Sequence, residues 1–260
     1  MTTPPAYAAA QVDVVRLPAG HVEPDEVAVE EPLEIRVNGE AVAVTMRTPG
    51  HDEELALGFL VGEGLRPSSA SLTDDFASNA VEVTVEAFDP GRLKRSFYTT
   101  SSCGVCGKGA LEAVAVEAPR IASSFRMPAG AVAKLPDRLR VAQRTFAATG
   151  GLHATGLFDA AGELVALRED VGRHNAMDKI VGWALGEGLL PLAGYALCVS
   201  GRLSFELVQK AAVAGCPLVA AVGAPSTLAV ELARDRGLTL CGFVRDGRVN
   251  VYSERWRVTA

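Results

Sequence analysis

The stretch YALCVSGRLSFELVQKAAVAGCPLVAAV, residues Tyr195–Val222, decides the fold class. Tyr195–Val199 is a short apolar run typical of a strand, and Ser204–Ala214 has the periodicity of a helix. Pro217–Val222 is again a short apolar run bounded by turn residues. A strand, a helix and a second strand in succession indicate a protein in which helices cover the faces of a sheet.

The same alternation continues on both sides of this stretch. Leu157–Leu167 predicts a hairpin, and Asn175–Leu185 predicts a helix with its apolar side chains on one face. Ser226–Gly237 predicts another helix, followed by strands at Leu238–Val244 and Val249–Tyr252. The C-terminal half is therefore predicted to be an α/β/α sandwich built on one mixed sheet.

The N-terminal half has a different pattern, dominated by strands. Leu33, Ile35 and Val37 alternate with polar residues and precede an Asn38-Gly39 turn, as in the first strand of a hairpin. The chain is thus predicted to belong to the α/β class, α+β overall, with a smaller β-rich N-terminal domain before the sandwich.

The domain organisation follows from these patterns. Residues 1–24 are predicted to be a flexible tail, residues 25–125 an α+β domain, and residues 126–260 the sandwich domain. The stretch Pro119–Pro136 has weak periodicity and is typical of a boundary, and a helix is predicted over Leu135–Phe146.

Composition excludes several classes of function. The 260 residues are 48% hydrophobic and 22% charged, with a net charge of −6, which argues against general affinity for nucleic acid or an anionic membrane. Ala211–Val230 has no charge, but its internal Gly and Pro residues divide it, so no membrane-spanning helix is predicted. Met1–Ala10 lacks the features of a signal peptide, so we expect a cytoplasmic protein.

Two of the five cysteines lie in the run TTSSCGVCGK, residues Thr99–Lys108. Its small residues keep Cys103 and Cys106 accessible, while Lys108 and the start of a following predicted helix favour the thiolate form. Such a pair can bind a metal, cycle through a disulfide, or carry sulfur as a persulfide.

The rest of the sequence makes metal binding and disulfide exchange less favoured than sulfur transport, but it excludes neither. A structural zinc site needs four ligands, whereas one thiol pair is present and the four histidines lack zinc-finger spacing, so no metal site is predicted. A thioredoxin-like redox pair would lie close to the N-terminus, whereas Cys103 and Cys106 follow a β-rich N-terminal region, so dithiol exchange is disfavoured. Cys198, Cys216 and Cys241 lie in apolar runs or a turn and are expected to be buried, as in a protein of a reducing compartment.

Polar, glycine-containing runs follow the predicted strands or open the predicted helices. They are Thr149–Gly156, Arg168–Lys179, Ser200–Ser204, Gly223–Thr227 and Phe243–Arg248. Each has an ordinary interpretation by itself: a helix cap, a salt-bridged helix start or a hairpin turn. Because several of them would line one edge of the sheet, together they predict a pocket for a polar, phosphorylated ligand. Arginines suit diphosphate oxygens, and Phe243 could stack on a base.

Together these runs resemble the formate dehydrogenase accessory sulfurtransferase family. The matching segments are Ser102–Gly107, Thr149–His153, Arg168–Lys179, Ser200–Arg202 and Gly223–Ser226, within a similarity spanning about Pro32–Tyr252. The resemblance implies a cytoplasmic homodimer whose C-terminal domain has the cytidine deaminase fold. It also implies that sulfur passes from a cysteine desulfurase to the bis-molybdopterin guanine dinucleotide (molybdenum) cofactor, which formate dehydrogenase requires.

The resemblance further implies roles for individual residues. Cys103 is implied to carry the persulfide as the catalytic residue, with Cys106 as its companion. The implied cofactor-binding segment is Phe243, Val244, Arg245, Asp246, Gly247 and Arg248. His153 and Arg173 are further candidates for binding. The cofactor would be bound as a substrate, and a guanine nucleotide such as GDP would mimic it.

The leading hypothesis is therefore a sulfurtransferase enzyme that works as a persulfide carrier. The alternative is a non-catalytic chaperone that binds the cofactor and docks on apo-formate dehydrogenase, and a zinc-stabilised interaction module is a third option. Cytidine deamination is disfavoured because zinc deaminases need His-x-Glu, whereas His153 is followed by Ala154 and Thr155.

Overall fold

The computed structural model describes residues 8–73, 79–86, 88, 89 and 116–260. Its strands are β1 (Ala9–Arg16), β2 (His21–Ala28), β3 (Glu31–Val37), β4 (Glu40–Arg47), β5 (Pro67–Leu72), β6 (Ala80–Val85), β7 (Met127–Pro128), β8 (His153–Phe158), β9 (Leu164–Asp170), β10 (Ala196–Val199), β11 (Leu218–Ala221), β12 (Thr239–Arg245), β13 (Arg248–Val251) and β14 (Val258–Thr259). The described α-helices are α1 (Asp52–Gly62), α2 (Ala129–Val132), α3 (Leu135–Ala142), α4 (Arg144–Thr149), α5 (Arg173–Gly186), α6 (Phe205–Val213) and α7 (Thr227–Arg236).

A six-stranded mixed sheet, in the order β13-β12-β11-β10-β8-β9, organises the C-terminal half. Strands β10, β11 and β12 are parallel, while β8 and β13 run antiparallel to their neighbours β10 and β12. This confirms the mixed α/β sheet predicted from the stretch Tyr195–Val222.

Both faces of this sheet are covered, because the side chains of its strands alternate between two cores. In β10, Leu197 and Val199 belong to the core beneath α5, α6 and α7, whereas Ala196 and Cys198 belong to the core with Leu139 of α3. Short, wholly apolar strands such as β10 and β11 are expected where a sheet is buried on both faces.

A four-stranded sheet, in the order β4-β3-β6-β5, forms the N-terminal unit. Leu33, Ile35 and Val37 of β3 are completely buried, as their alternation predicts. The turn to β4 places Asn38 at φ 50° and Gly39 at φ 86°, the left-handed region that this residue pair favours.

The N-terminal residues correct one prediction. Of the predicted flexible tail, residues 9–24 form most of an antiparallel ribbon of β1 and β2. Val15 pairs with Val22 across the ribbon, and Arg16 makes ion pairs with Glu23 and Asp25. These cross-strand pairs stabilise two strands where a tail is predicted. The short alternating pattern of these residues indicates strands only weakly.

The predicted helix over Leu135–Phe146 is two helices, and this is a second correction. The backbone leaves the helical region at Gln143, which has φ −73° and ψ 90°. The carboxylate of Glu169 then accepts hydrogen bonds from the N–H groups of Thr145 and Phe146, at 3.0 and 2.8 Å. A side chain from β9 therefore starts α4 by satisfying N–H groups that have no partner within the helix.

Helices α1 and α5 join the N-terminal unit to the sandwich at very short range. A β-carbon on Gly182 would stand 1.8 Å from the carbonyl oxygen of Glu54, and one on Gly58 would stand 1.8 Å from that of Asp178. Only glycine permits this approach, so the two glycines determine how the units dock.

The segment between the units joins the core of the sandwich before the predicted boundary. Ala118 is buried in the core beneath α7, and the N–H of Ile121 donates to the carbonyl of Arg236 at 2.8 Å. The predicted strand through Phe97 and Tyr98, and the predicted helix over 109–115, lie outside the described residues. No helix in the described ranges is long and apolar enough to cross a membrane.

Candidate functional site at the sheet edge

The carboxyl ends of the parallel strands form a continuous, hydrogen-bonded edge. Ser200, after β10, donates its N–H to the carbonyl of Ala154 at 3.0 Å and accepts from the N–H of Ala154 at its Oγ at 2.9 Å. The N–H of Gly223 donates to Gly201 at 3.1 Å, and that of Phe243 donates to Gly223 at 3.0 Å. The predicted meeting of polar runs at one edge of the sheet is confirmed for these residues.

Glycine at this edge is required by close backbone approach. A β-carbon on Gly223 would lie 2.9 Å from the carbonyl oxygen of Gly201, inside van der Waals contact. The loops after β10 and β11 can therefore pack side by side only without a side chain at this position.

The segment from Phe243 to Arg248 forms the turn between β12 and β13. Asp246 and Gly247 lie at φ 52° and 72°, and Phe243 lies at φ 50° where the register between the strands shifts. This irregularity is a β-bulge, a feature that redirects side chains at the end of a strand. The predicted strands around the turn are thereby confirmed.

The bulge opens a cavity of about 410 Å³, called here the Phe243 cavity. Its walls are Phe243, Arg245, Asp246, Arg248 and Asn250. Of the six residues in the segment, Val244 is buried on the other side and Gly247 has no side chain. The structure therefore brings four of the six predicted side chains together around one cavity.

A second cavity of about 480 Å³ lies between the edge and the α3–α4 junction, and is called here the Gln143 cavity. Its walls include Asp137, Arg140, Gln143, Phe146, His153 and Arg245. Arg245 lines both cavities, so one extended ligand that entered both would contact this residue.

The edge is rich in arginine although the chain as a whole is acidic. Arg140 lies 4.2 Å from the ring centroid of Phe146, and Arg245 lies 5.8 Å from that of Phe243. Neither forms an ion pair with any carboxylate in the part of the chain that the structure describes. Unpaired guanidinium groups beside aromatic rings suit phosphate oxygens and planar bases.

His153, predicted as a binding candidate, begins β8 and lines the Gln143 cavity. Burial, together with the charges of Arg173 and His174, lowers the pKa of His153 below its ordinary value. Arg173 is thus electrostatically coupled to His153, and both lie at the sheet edge. His174 Nε2 lies 2.8 Å from the carboxylate of Glu206, and this hydrogen bond lowers the pKa of Glu206.

Much of the Arg168–Lys179 run serves to dock the two units. Lys179 Nζ lies 2.7 Å from Asp170 Oδ2 and donates to the carbonyl of Thr48 at 2.8 Å. Asn175 donates to Asp170 Oδ1 at 3.0 Å and to the carbonyl of Met46 at 2.8 Å. These contacts tie β9 and α5 to the end of β4.

Arg168 does the same, whereas Asp178 joins α5 to α6 within the sandwich. Arg168 makes a bidentate ion pair with Glu54 of α1, and Lys210 Nζ lies 2.8 Å from Asp178 Oδ1. Burial alone lowers the pKa of Lys210, but the charges of Asp178 and Glu63 outweigh burial and raise it. The salt-bridge interpretation therefore holds for these side chains, and Arg173, whose charge acts on His153, is the predicted binding residue of the run that begins α5.

The sequence and the fold both match those of known proteins. The model of the FdhD/NarQ family matches residues 28–259, which is most of the chain. The chain belongs to the FdhD/NarQ family. Sulfur carrier protein FdhD of Streptomyces avermitilis is 51% identical over 265 residues, covering 94% of each chain. Sulfur carrier protein FdhD of Mycobacterium tuberculosis is 48% identical over 275 residues, covering 97% of this chain and 99% of that one.

A solved structure has the same fold. A chain from Desulfotalea psychrophila, described as a formate dehydrogenase accessory protein, superposes with a TM-score of 0.76 at 26% identity. The superposition covers 96% of this chain and 98% of that one. The resemblance to the formate dehydrogenase accessory family is thereby confirmed.

The cysteines divide into two groups. Cys103 and Cys106 lie outside the described residues. Cys198, Cys216 and Cys241 are buried, as predicted, and burial raises the pKa of each, to about 12 for Cys216. A buried neutral thiol is a poor nucleophile. Among the described residues, no three His, Cys, Asp or Glu side chains form a group that could hold a metal.

Sequence reasoning missed the residues that come from the α3–α4 junction. The sequence predicts that Arg140, Gln143 and Phe146 lie in one continuous helix, in which their spacing has no special meaning. Only the pairing of Glu169 with the start of α4 reveals that the chain turns at Gln143. A Gln between two short amphipathic segments was the only local indication.

Proposed function

We propose that this protein is a sulfurtransferase that carries sulfur as a persulfide on Cys103 and delivers it to a molybdenum cofactor. The donor is a cysteine desulfurase, the acceptor is bis-molybdopterin guanine dinucleotide bound as substrate, and the client is formate dehydrogenase. Membership of a family whose relatives are named sulfur carriers supports the carrier role. We further propose that the protein acts in the cytoplasm as a homodimer.

The observation that carries the proposal is the burial of the other thiols. Cys198, Cys216 and Cys241 belong to the cores of the sandwich, with raised pKa values, so they are unsuited to attack a persulfide. The remaining pair, Cys103 and Cys106, lies in a run of small and hydroxylated residues. These two are therefore the candidates for sulfur transfer.

The chemistry proceeds by thiol exchange. The thiolate of Cys103 attacks the terminal sulfur of the desulfurase persulfide, which forms a new S–S bond and releases the desulfurase thiolate without net oxidation. Release of that sulfur as sulfide needs two electrons. The thiolate of Cys106 supplies them by attacking Cys103 Sγ, which forms a Cys103–Cys106 disulfide that a cellular thiol then reduces.

The sheet edge provides the binding site for the acceptor. Guanidinium groups form bidentate hydrogen bonds with phosphate oxygens, and Arg245 and Arg248 present two such groups beside Phe243. His153 adds a donor next to Gly201 in the loop after β10, and Arg173, whose charge acts on His153, adds a further cationic group. A diphosphate-linked dinucleotide matches this combination of cationic and aromatic groups.

Intact-mass spectrometry tests the carrier role. The reduced protein is incubated with a cysteine desulfurase and cysteine, beside the variants Cys103→Ala and Cys106→Ala and the buried control Cys216→Ala. We expect wild type and Cys216→Ala to gain one sulfur atom and Cys103→Ala to gain none. Equal loading of Cys103→Ala and wild type would refute the assignment of Cys103.

A second candidate is a chaperone that binds the cofactor without moving sulfur. The two cavities at the sheet edge would serve this role as well, because binding a cofactor does not require a thiol. Activation of apo-formate dehydrogenase separates the candidates, because a carrier fails with Cys103→Ala although GDP binding persists. Full activation by Cys103→Ala would establish the chaperone.

A further inference from the structure

The ribbon of strands β1 and β2 is an exposed structure without a core of its own. None of the residues Ala9–Ala28 is buried, and at the free end of the ribbon Val15, Leu17 and Val22 are 60%, 83% and 65% exposed. A two-stranded ribbon is only marginally stable by itself in water, and clustered apolar side chains on a surface are typical of a contact with another molecule. The free end of the ribbon is therefore a candidate interaction surface.

The base of the ribbon packs beside the Gln143 cavity. The N–H of Val29 donates to the carbonyl of Ala8 at 3.1 Å, which closes the ribbon at its base. Both strands contact helix α4, and a β-carbon on Gly151 would lie 3.2 Å from the β-carbon of Ala28. Because Gly151 and Phe146 of α4 also line the cavity, the ribbon starts from the rim of the sheet edge.

The face of the ribbon that contains Ala28 is apolar at its free end and acidic in the middle. Neighbouring residues of a strand point to opposite sides, and the register places Val15 directly opposite Val22 on this face. Asp13 and Glu26 lie between this pair and the base, and neither makes an ion pair in the described ranges. The face thus combines an apolar contact with two unpaired carboxylates.

The charge of the ribbon is opposite to that of the sheet edge. Residues Ala9–Ala28 include four carboxylates and one guanidinium group, whereas the edge has the unpaired guanidinium groups of Arg140 and Arg245. A client enzyme that accepts the cofactor binds its diphosphate groups, so the mouth of its own cavity is expected to be cationic. Two cationic mouths repel each other when they meet, and an acidic arm beside one of them offsets this repulsion.

We propose that the free end of the β1–β2 ribbon is the docking surface for the client that receives the cofactor, apo-formate dehydrogenase. This inference rests on the proposed function, which supplies the client. Val15, Leu17 and Val22 contact an apolar part of the client surface, while Asp13 and Glu26 face cationic side chains around its cofactor entrance. The ribbon starts at the rim of the sheet edge, which favours the client over the sulfur donor, because the client takes the cofactor from that edge.

Binding of the full chain to purified apo-formate dehydrogenase, measured by biolayer interferometry at low and high salt, tests the proposal. The double variant Asp13→Lys, Glu26→Lys reverses two charges and keeps the ion pairs of Arg16. We expect it to bind the client roughly tenfold or more weakly and with less dependence on salt. The double variant Glu187→Lys, Glu231→Lys makes the same change of charge at exposed positions and should bind as wild type does.

A second variant tests the apolar contact without a change of charge. The double variant Val15→Thr, Val22→Thr keeps β-branched side chains, which suit a strand, but removes apolar surface. We expect it to dissociate faster from the client and to keep the wild-type melting temperature. Val44→Thr with Val165→Thr makes the same replacement at exposed positions of β4 and β9 and is the control. GDP affinity and sulfur loading should stay at wild-type values in all four variants.

The outcomes separate this inference from the proposed function. If both ribbon variants bound the client as wild type does, the docking surface would lie elsewhere and the proposed function would stand. Loss of desulfurase loading with client binding retained would show that the ribbon contacts the sulfur donor. Conversion of a wild-type dimer to a monomer in sedimentation velocity would show that it contacts a second copy of the chain, and either result would overturn the inference. If wild type itself did not bind the client, the client step of the proposed function would be wrong and this docking surface with it.

Discussion

The carbonyl oxygen of Glu54 lies 1.8 Å from the point where a β-carbon on Gly182 would stand. Helices α1 and α5 therefore meet backbone to backbone, and the side chain of Glu54 reinforces the contact through its ion pair with Arg168. Because α5 begins at Arg173, beside the ligand edge, the contact also fixes that edge relative to the N-terminal unit.

Gly182→Ala is expected to destabilise the protein by about 3 kcal/mol, because the added methyl group must push the two backbones apart. Gly186→Ala, on the same helix, should be neutral or stabilising by roughly 0.5 kcal/mol, since nothing lies within 4 Å of its β-carbon position. Denaturant unfolding of both variants measures the difference. Equal midpoints would show that the helices do not depend on close backbone approach.

The ion pair between Asp170 and Lys179 gives a second prediction. Lys179→Met leaves the carboxylate of Asp170, which is completely buried, without its cationic partner. We expect a loss of about 3–5 kcal/mol in the free energy of unfolding. Arg36→Met, which breaks the more exposed pair with Glu34, should cost less than about 1 kcal/mol.

The same variants test whether the Arg168–Lys179 run contacts a ligand. We expect the folded fraction of Lys179→Met to bind GDP with unchanged affinity, because Lys179 faces Thr48 and Asp170. Calorimetry below the unfolding transition measures this affinity. A selective loss of GDP binding without loss of stability would return Lys179 to the binding site.

These contacts also show how far the sequence could predict the molecule. Strands β10 and β11 were predicted closely, because short apolar runs between turn residues carry their own signal. The partners of Lys179 were not predictable from local pattern, since the bond to Thr48 joins residues far apart in the chain. A helix start with many charges looks the same whether its partners are a ligand or another domain.

The Gln143 cavity was missed for a related reason. The pattern of α3 and α4 is that of one helix, and the break at Gln143 depends on Glu169 from another element. The Phe243–Arg248 turn was found because Asp246-Gly247 is a strong local turn signal. Neighbouring residue types therefore predict turns well. A helix start that is capped by a side chain from a distant element can be recognised only in the folded structure.

The lowered pKa of His153 predicts pH dependence of ligand binding. In the free protein, burial and the charges of Arg173 and His174 lower the pKa of the His153 imidazole and so favour its neutral form. A bound diphosphate favours the protonated form and raises this pKa, so binding takes up a proton. GDP affinity should therefore rise as the pH falls from 7 towards the lowered pKa of the free imidazole.

Calorimetry in buffers of different ionisation enthalpy measures this proton uptake. His153→Gln should take up fewer protons on binding GDP, and its GDP affinity should vary less with pH. The variation that remains in this variant measures the titration of the nucleotide phosphate itself. His21→Gln, on the exposed end of β2, should keep the wild-type profile. Identical profiles for wild type and His153→Gln would place the diphosphate away from His153.

Arg245 gives the last prediction, because it lines both cavities. Arg245→Gln removes a charge-assisted, bidentate contact, and we expect GDP affinity to fall by roughly ten- to a hundredfold. The salt dependence of binding should weaken as well, since fewer charges meet the diphosphate. Arg66→Gln, on the exposed connection after α1, provides the matched control.

Sulfur loading of Arg245→Gln by the desulfurase should stay at the wild-type level, because the thiol exchange does not involve the nucleotide site. Loss of both loading and GDP affinity in a folded variant would contradict the separation of sulfur acceptance from cofactor binding.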